Sequence, residues 1–296
     1  MKTTARHSIQ PTIPSTLMRP EPPPTPPLAP ILAILAVISL LLTITVGGLL
    51  FFAPDLIQAR WVWPLKPYNT RFLGAFYLTA AVGFASLLFN RRGSLARLIV
   101  PMFFLFTANA LMVCCLQLQV FDALRRATDV WFWLYLADCI GGAYYFAHYR
   151  QQAFAGLRRL PGLWPIVLGL QAGLLGAYGL SMLFFPAKTG SGWLWPLDVF
   201  HSQLYSSIFL AGAVGSALLA RRAAASEARS LGSIQVVFSV FVALGVWIVD
   251  KDVQGIDWSL PLSWVWLGVI ALLGLVGLGL IRLGRSVKVT QQAVGE

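Results

Sequence analysis

Few ionisable side chains fall inside the apolar stretches of this chain, and any chemistry has to start from them. An ionisable group at membrane depth is costly, which makes each one a candidate for function. Asp138 is the one acid well inside such a stretch, about 12 Å from its start at 1.5 Å per residue. Trp131, Tyr135, Gly142 and Tyr145 recur on its helical face, with Tyr149 at the far end, so Asp138 belongs to a polar stripe. Asn109 is the matching polar group of the preceding stretch, at similar depth. Arg71 opens the stretch before that, with Thr79 on roughly the same face. Arg71, Asn109, Tyr135, Asp138 and Tyr145 are therefore the candidate ligand-binding residues. Two readings stay open for them. One is a buried Arg71–Asp138 pair, helped by Asn109, that ties helices together. The other is a substrate or proton site.

The same residues argue against other chemistries. The histidines are His7, His148 and His201, and the last two sit at opposite ends of their predicted helices, so they cannot share a haem iron. Metal ligands are lacking for the same reason, and no cofactor is expected. Cys114, Cys115 and Cys139 have neither metal nor redox spacing and read as small apolar packing residues. Gly169, Gly173 and Gly176 are spaced for close helix packing and form no phosphate-binding loop.

These groups must be positioned by helices in lipid. Hydrophobic residues make up 57% of the 296 and charged residues 11%, where a soluble domain carries about 25% charged. Mean hydropathy is +0.72. No soluble core could bury that much apolar surface, so the bilayer is the solvent and the first partner. A net charge of +11 does not signal nucleic acid, because the basic residues lie in short clusters between apolar runs. Residues 1–27 hold Pro22-Pro23-Pro24-Thr25-Pro26-Pro27 and read as a disordered, basic, cytoplasmic tail. Eight runs follow that are long enough to span: 28–52, 72–89, 98–118, 130–149, 163–185, 199–220, 231–249 and 260–281.

The runs are organised by a duplication. Trp61-Val62-Trp63-Pro64-Leu65 returns as Trp193-Leu194-Trp195-Pro196-Leu197, an offset of 132. Ala81-Val82-Gly83 answers Ala213-Val214-Gly215, and Trp131-Phe132-Trp133-Leu134 answers Trp264-Val265-Trp266-Leu267 at 133. A near-constant offset over this much chain marks an internal repeat. Residues 28–150 form the first four-helix repeat, 151–283 the second, and 284–296 a cytoplasmic C-terminal tail. Fifteen of the 22 Lys and Arg residues fall on the side of the termini, which predicts both termini in the cytoplasm and two parallel repeats. The fold class expected is an all-α, eight-span, multi-pass membrane protein. The Trp-Pro motifs then lie outside, where tryptophans ordinarily anchor at the interface.

Phe52-Ala53-Pro54-Asp55, Trp63-Pro64-Leu65 and Arg71-Phe72-Leu73-Gly74-Ala75 resemble a recurring pattern in bacterial integral membrane proteins. The four-helix unit is similar to DoxX-like modules, small four-span proteins of which some are linked to quinone-dependent oxidoreductases. The resemblance covers about 80 residues of each repeat. The second repeat departs from it, with Gln203 answering Arg71 and Ser206 answering Gly74. No catalytic residue carries over. The resemblance implies a bacterial inner-membrane location, with a quinone as one ligand. The residues themselves favour binding or translocation of a small or lipophilic molecule. A quinone-linked subunit and a structural or assembly partner of another membrane protein are the rival readings.

Overall fold

The computed structural model of the chain describes residues 27–90, 93–122, 124–150, 152 and 157–293. All of the expected N-terminal tail except Pro27 lies outside them. Among the described residues eight long helices carry the fold: α1 (Pro30–Phe52), α2 (Pro67–Asn90), α3 (Gly93–Leu116), α4 (Arg126–Arg150), α5 (Trp164–Phe184), α6 (Val199–Arg221), α7 (Ala225–Val253) and α8 (Pro261–Ala293). Among the described residues no strand ladder forms, only an isolated bridge between Arg158 and Ala223. The helices start and stop where the sequence dictates. Pro30, Pro67 and Pro261 each stand first in a helix, where a missing N–H costs nothing. Pro54 and Pro186 end α1 and α5, forcing the preceding Ala53 and Phe185 out of helical geometry, to φ −135° and −127°. α8 runs on through most of the segment expected to be a C-terminal tail.

Seven of the eight, all but α4, are long and apolar enough to cross a membrane. α4 has the length, at 25 residues, but it carries Asp129, Asp138 and four tyrosines (Tyr135, Tyr144, Tyr145, Tyr149). Its polar stripe is a buried face: Thr128, Trp131, Tyr135, Gly142, Tyr145 and Tyr149 all point inward.

Helices pair as hairpins along the chain, α1 with α2, α3 with α4, α5 with α6, and α7 with α8. Two further broad interfaces, α2 with α7 and α3 with α6, join the halves, while α2 and α3 touch only slightly. The inner four helices bury 44–50% of their apolar windows inside the chain, against 17–28% for α1, α5 and α8. Those outer helices keep rows of exposed Leu and Ile, the surface lipid requires.

Close approach between helices depends on small residues. A Cβ at Gly47 of α1 would lie 2.9 Å from Leu78 N on α2, and one at Gly179 of α5 would lie 2.9 Å from Leu210 Cγ on α6. The glycines that the spacing singled out are different ones. Gly169 and Gly173 face open space, and Gly176, which does face α6, makes only an ordinary 3.7 Å contact with Ala213.

The tryptophan motifs are core and not anchors. Trp63 and Trp195 are each only 3% exposed. Trp63 packs edge-on against Trp61, Phe121, Trp131 and Phe200, while Trp195 stacks on Tyr68 and meets Trp193 and Trp266. The rings facing the two motifs are thus Trp131 and Trp266, where alignment had paired Trp131 with Trp264. Trp133, Trp247 and Trp264 are the exposed ones.

Candidate functional site

α1–α2 and α3–α4 are two hairpins with little contact between α2 and α3, and the space left between them is a cavity of about 470 Å³. Its walls are apolar: Leu42 and Val46 of α1, Phe76 of α2, Phe106 of α3, and Trp131 and Leu134 of α4. Arg60, Trp61 and Val62 roof it at the tryptophan end, and Ala211 and Ile234 of the other half close its back. The size is that of a small-molecule site.

The polar groups within it are few. Tyr77 Oη of α2 lies 3.2 Å from Tyr135 Oη of α4. Two hydroxyls sharing one hydrogen bond leave one O–H proton to spare. Tyr135 is fixed by Trp131, stacked on it with ring centroids 3.9 Å apart. Thr43, Thr79 and Thr107 also line the cavity, but their hydroxyls donate back to their own helices, to Ser39 O, Ala75 O and Phe103 O. Asp138 lies one turn of α4 deeper than Tyr135. Among the described residues no cation lies within ion-pair distance of it, and no side chain hydrogen-bonds to it. It also walls a second cavity of about 30 Å³, with Ala36, Gly142 and Tyr145, large enough for a water.

The structure therefore brings together three of the five residues singled out by sequence: Tyr135 and Asp138 in the larger cavity, and Tyr145 in the small one below. Arg71 and Asn109 are elsewhere, and the expected Arg71–Asp138 pair is absent among the described residues. Arg71 faces away from α4. Its Nη1 donates to Phe51 O, and its guanidinium lies over the Phe51 ring, 5.9 Å from the centroid. Phe51 O is one of the last carbonyls of α1, which lack partners within the helix, and a cation there also suits the helix dipole. Asn109 Nδ2 donates to Ser206 Oγ (2.9 Å) and Ser207 Oγ (2.8 Å), tying α3 to α6. Tyr77 was missed. Its signal lay in the 132-residue offset, at which it stands opposite Phe209, a position that keeps the ring and loses the hydroxyl.

Among the described residues no group of three or more His, Cys, Asp or Glu could hold a metal ion. Cys114 is buried in the core and does not itself line the cavity, and Cys115 is exposed. The arrangement can hold a mostly apolar molecule and hydrogen-bond one polar group on it. It assembles no nucleophile with a base beside it. The chain matches no family model, no curated protein and no solved structure.

Proposed function

We propose that this chain is a multi-pass protein of a bacterial inner membrane, with both termini cytoplasmic, that binds and passes on a small lipophilic molecule carrying one polar group. One observation carries the reading: an apolar cavity of about 470 Å³ with a spare tyrosine O–H and a carboxyl that no side chain among the described residues engages. A polar group at this depth needs a partner, and a ligand supplies one. α4 is the eighth span in this reading, its polar stripe turned inward. The inner-membrane location rests on the resemblance alone. The orientation rests on the distribution of Lys and Arg, and labelling of Ser191→Cys from outside intact cells tests it.

Two parallel repeats also fit the pattern of contacts, which is unchanged when α1–α4 are exchanged for α5–α8. They give a reason for a site in one half only. At an offset of 132, Ser39, Thr43 and Val46 of the cavity wall answer to Gln171, Leu175 and Tyr178. Each is larger, and the Tyr178 ring packs on Phe209, 5.0 Å between centroids. A quinone is the narrower form of the same reading. The aromatic walls suit a flat ring, the O–H groups suit its carbonyl oxygens, and the DoxX-like resemblance points the same way.

The test is to purify the protein in mild detergent and identify the organic molecules it retains. Val46→Tyr should fill the cavity as Tyr178 does in the other half. A lipophile retained by the parent and lost from a Val46→Tyr variant of unchanged melting temperature is the expected result. Identical retention by both would overturn the reading.

A further inference from the structure

A second hollow lies beyond the roof of the cavity. It holds about 780 Å³ and is lined by Asp55, Gln58, Trp63, Phe121, Asp122 and Arg125, among others. Trp61 and Val62 line both spaces, so this dipeptide is the wall between them. The wall belongs to a non-helical segment held at few points. Gln58 Nε2 donates to Leu65 O at 2.5 Å, closing the segment on itself. Arg125, from the connection between α3 and α4, donates to Ala59 O at 3.1 Å and Trp61 O at 2.9 Å. Asp122 holds that guanidinium in turn, at 2.8 Å. The Arg125 and Asp122 side chains are 41% and 46% exposed, so water competes for every one of these bonds. Inside, Trp61 makes edge-on contacts with Trp63 (5.4 Å) and Tyr77 (6.4 Å), and its indole N–H has no hydrogen-bond partner among the described residues.

We propose that the outer hollow is the water-side mouth of the cavity, and that Arg125 is the latch holding the Trp61–Val62 wall shut between them. The molecule admitted is a lipophile bearing a carbonyl or anionic oxygen. Such an oxygen offers the guanidinium the same kind of acceptor as Ala59 O and Trp61 O, so arrival of the ligand competes directly with the latch. Released, the wall is left with ring contacts, the Gln58 tie and the Trp61 main-chain N–H bond to Gln58 O at 3.3 Å, and the path to Tyr77 and Asp138 opens. This assignment rests on the ligand-binding reading above, and it makes that reading vectorial: loading from the tryptophan end.

Access can be read without any ligand. The protein carries Thr43→Cys in a background lacking Cys114, Cys115 and Cys139, is reconstituted in nanodiscs, and is treated with a charged methanethiosulfonate reagent. Thr43 is 8% exposed and faces the cavity. Arg125→Ala should raise the labelling rate by about tenfold, equivalent to ~1.4 kcal/mol in the opening equilibrium, and Arg125→Lys by less. Should Arg125→Ala fail to fold, Trp61→Ala removes the wall itself and must give the same increase. Parent-rate labelling in a folded variant would overturn the latch. A faster rate alongside no retained lipophile would leave the latch standing and sink the ligand reading instead.

Discussion

Arg71 and Gln203 stand 132 residues apart and make the same bond: each donates to the main-chain carbonyl 20 residues before it, Phe51 O and Leu183 O. Both carbonyls lie in the last turn of a helix, α1 and α5, so both side chains cap helix ends.

The cap predicts the outcome of substitution at Arg71. Arg71→Gln keeps a donor and should cost less than about 1 kcal/mol. Arg71→Leu leaves Phe51 O unsatisfied and should cost about 1–3 kcal/mol. Unfolding in detergent measures both. A double-mutant cycle with Asp138→Asn should find no coupling, and strong coupling would restore the discarded Arg71–Asp138 pair.

Glu227 is wholly buried, and Arg97 grips both its oxygens, at 2.9 and 2.8 Å. Arg97 also donates to Arg222 O, and Glu227 accepts from Ala224 N. Removing one member strands the other, so Glu227→Ala should cost about 3–5 kcal/mol. Replacing both by apolar side chains of similar volume should recover most of the loss. A double mutant as unstable as the sum of the singles would contradict this account.

Asp198 caps α6, accepting from His201 N at 2.9 Å and facing His201 Nδ1 at 2.7 Å. Burial pushes its carboxyl up, but the bonds and charge of His201, with Lys66, outweigh burial and leave it below the ordinary carboxylate value. A carboxyl lowered in the fold stabilises above its unfolded value, near 3.9, and loses that contribution as pH falls through the folded one. Asp198→Asn keeps the capping oxygen and removes the charge. It should melt below the parent at pH 6, and the difference should shrink as the pH falls below the ordinary carboxylate value. A gap unchanged across that range would mean the charge contributes nothing.

Much of this could be read in the chain. Long apolar runs gave the helices, and the 3.6-residue period placed the polar stripe of α4 on one face. Other features were hidden for definite reasons. Sequence puts Arg71 at the outer end of its helix and Asp138 about 12 Å inside its own, within reach of a long side chain, but not the direction each faces across three helices, so reach looked like contact. In lipid, a buried tryptophan and an interfacial one have the same apolar neighbours, so Trp63 and Trp195 read as anchors. A constant offset equates α2 with α6 without saying that α2 packs on α7. The last helices also slip against the alignment, which is why Trp266 and not Trp264 meets the second motif.

The crossed pairing of α2 with α7 and α3 with α6 bears on how the chain is made. Asn69 accepts from Trp195 Nε1, and Asn109 donates to Ser206 and Ser207, so these two amides of the first half are partnered by the second. At a ribosomal pace of about 5–20 residues per second, Ser207 is made roughly 5–20 s after Asn109. During that interval the newborn half turns amides and serine-binding grooves toward the bilayer. Whatever receives it in the membrane, an insertase or a protease, meets a surface that the finished protein never displays.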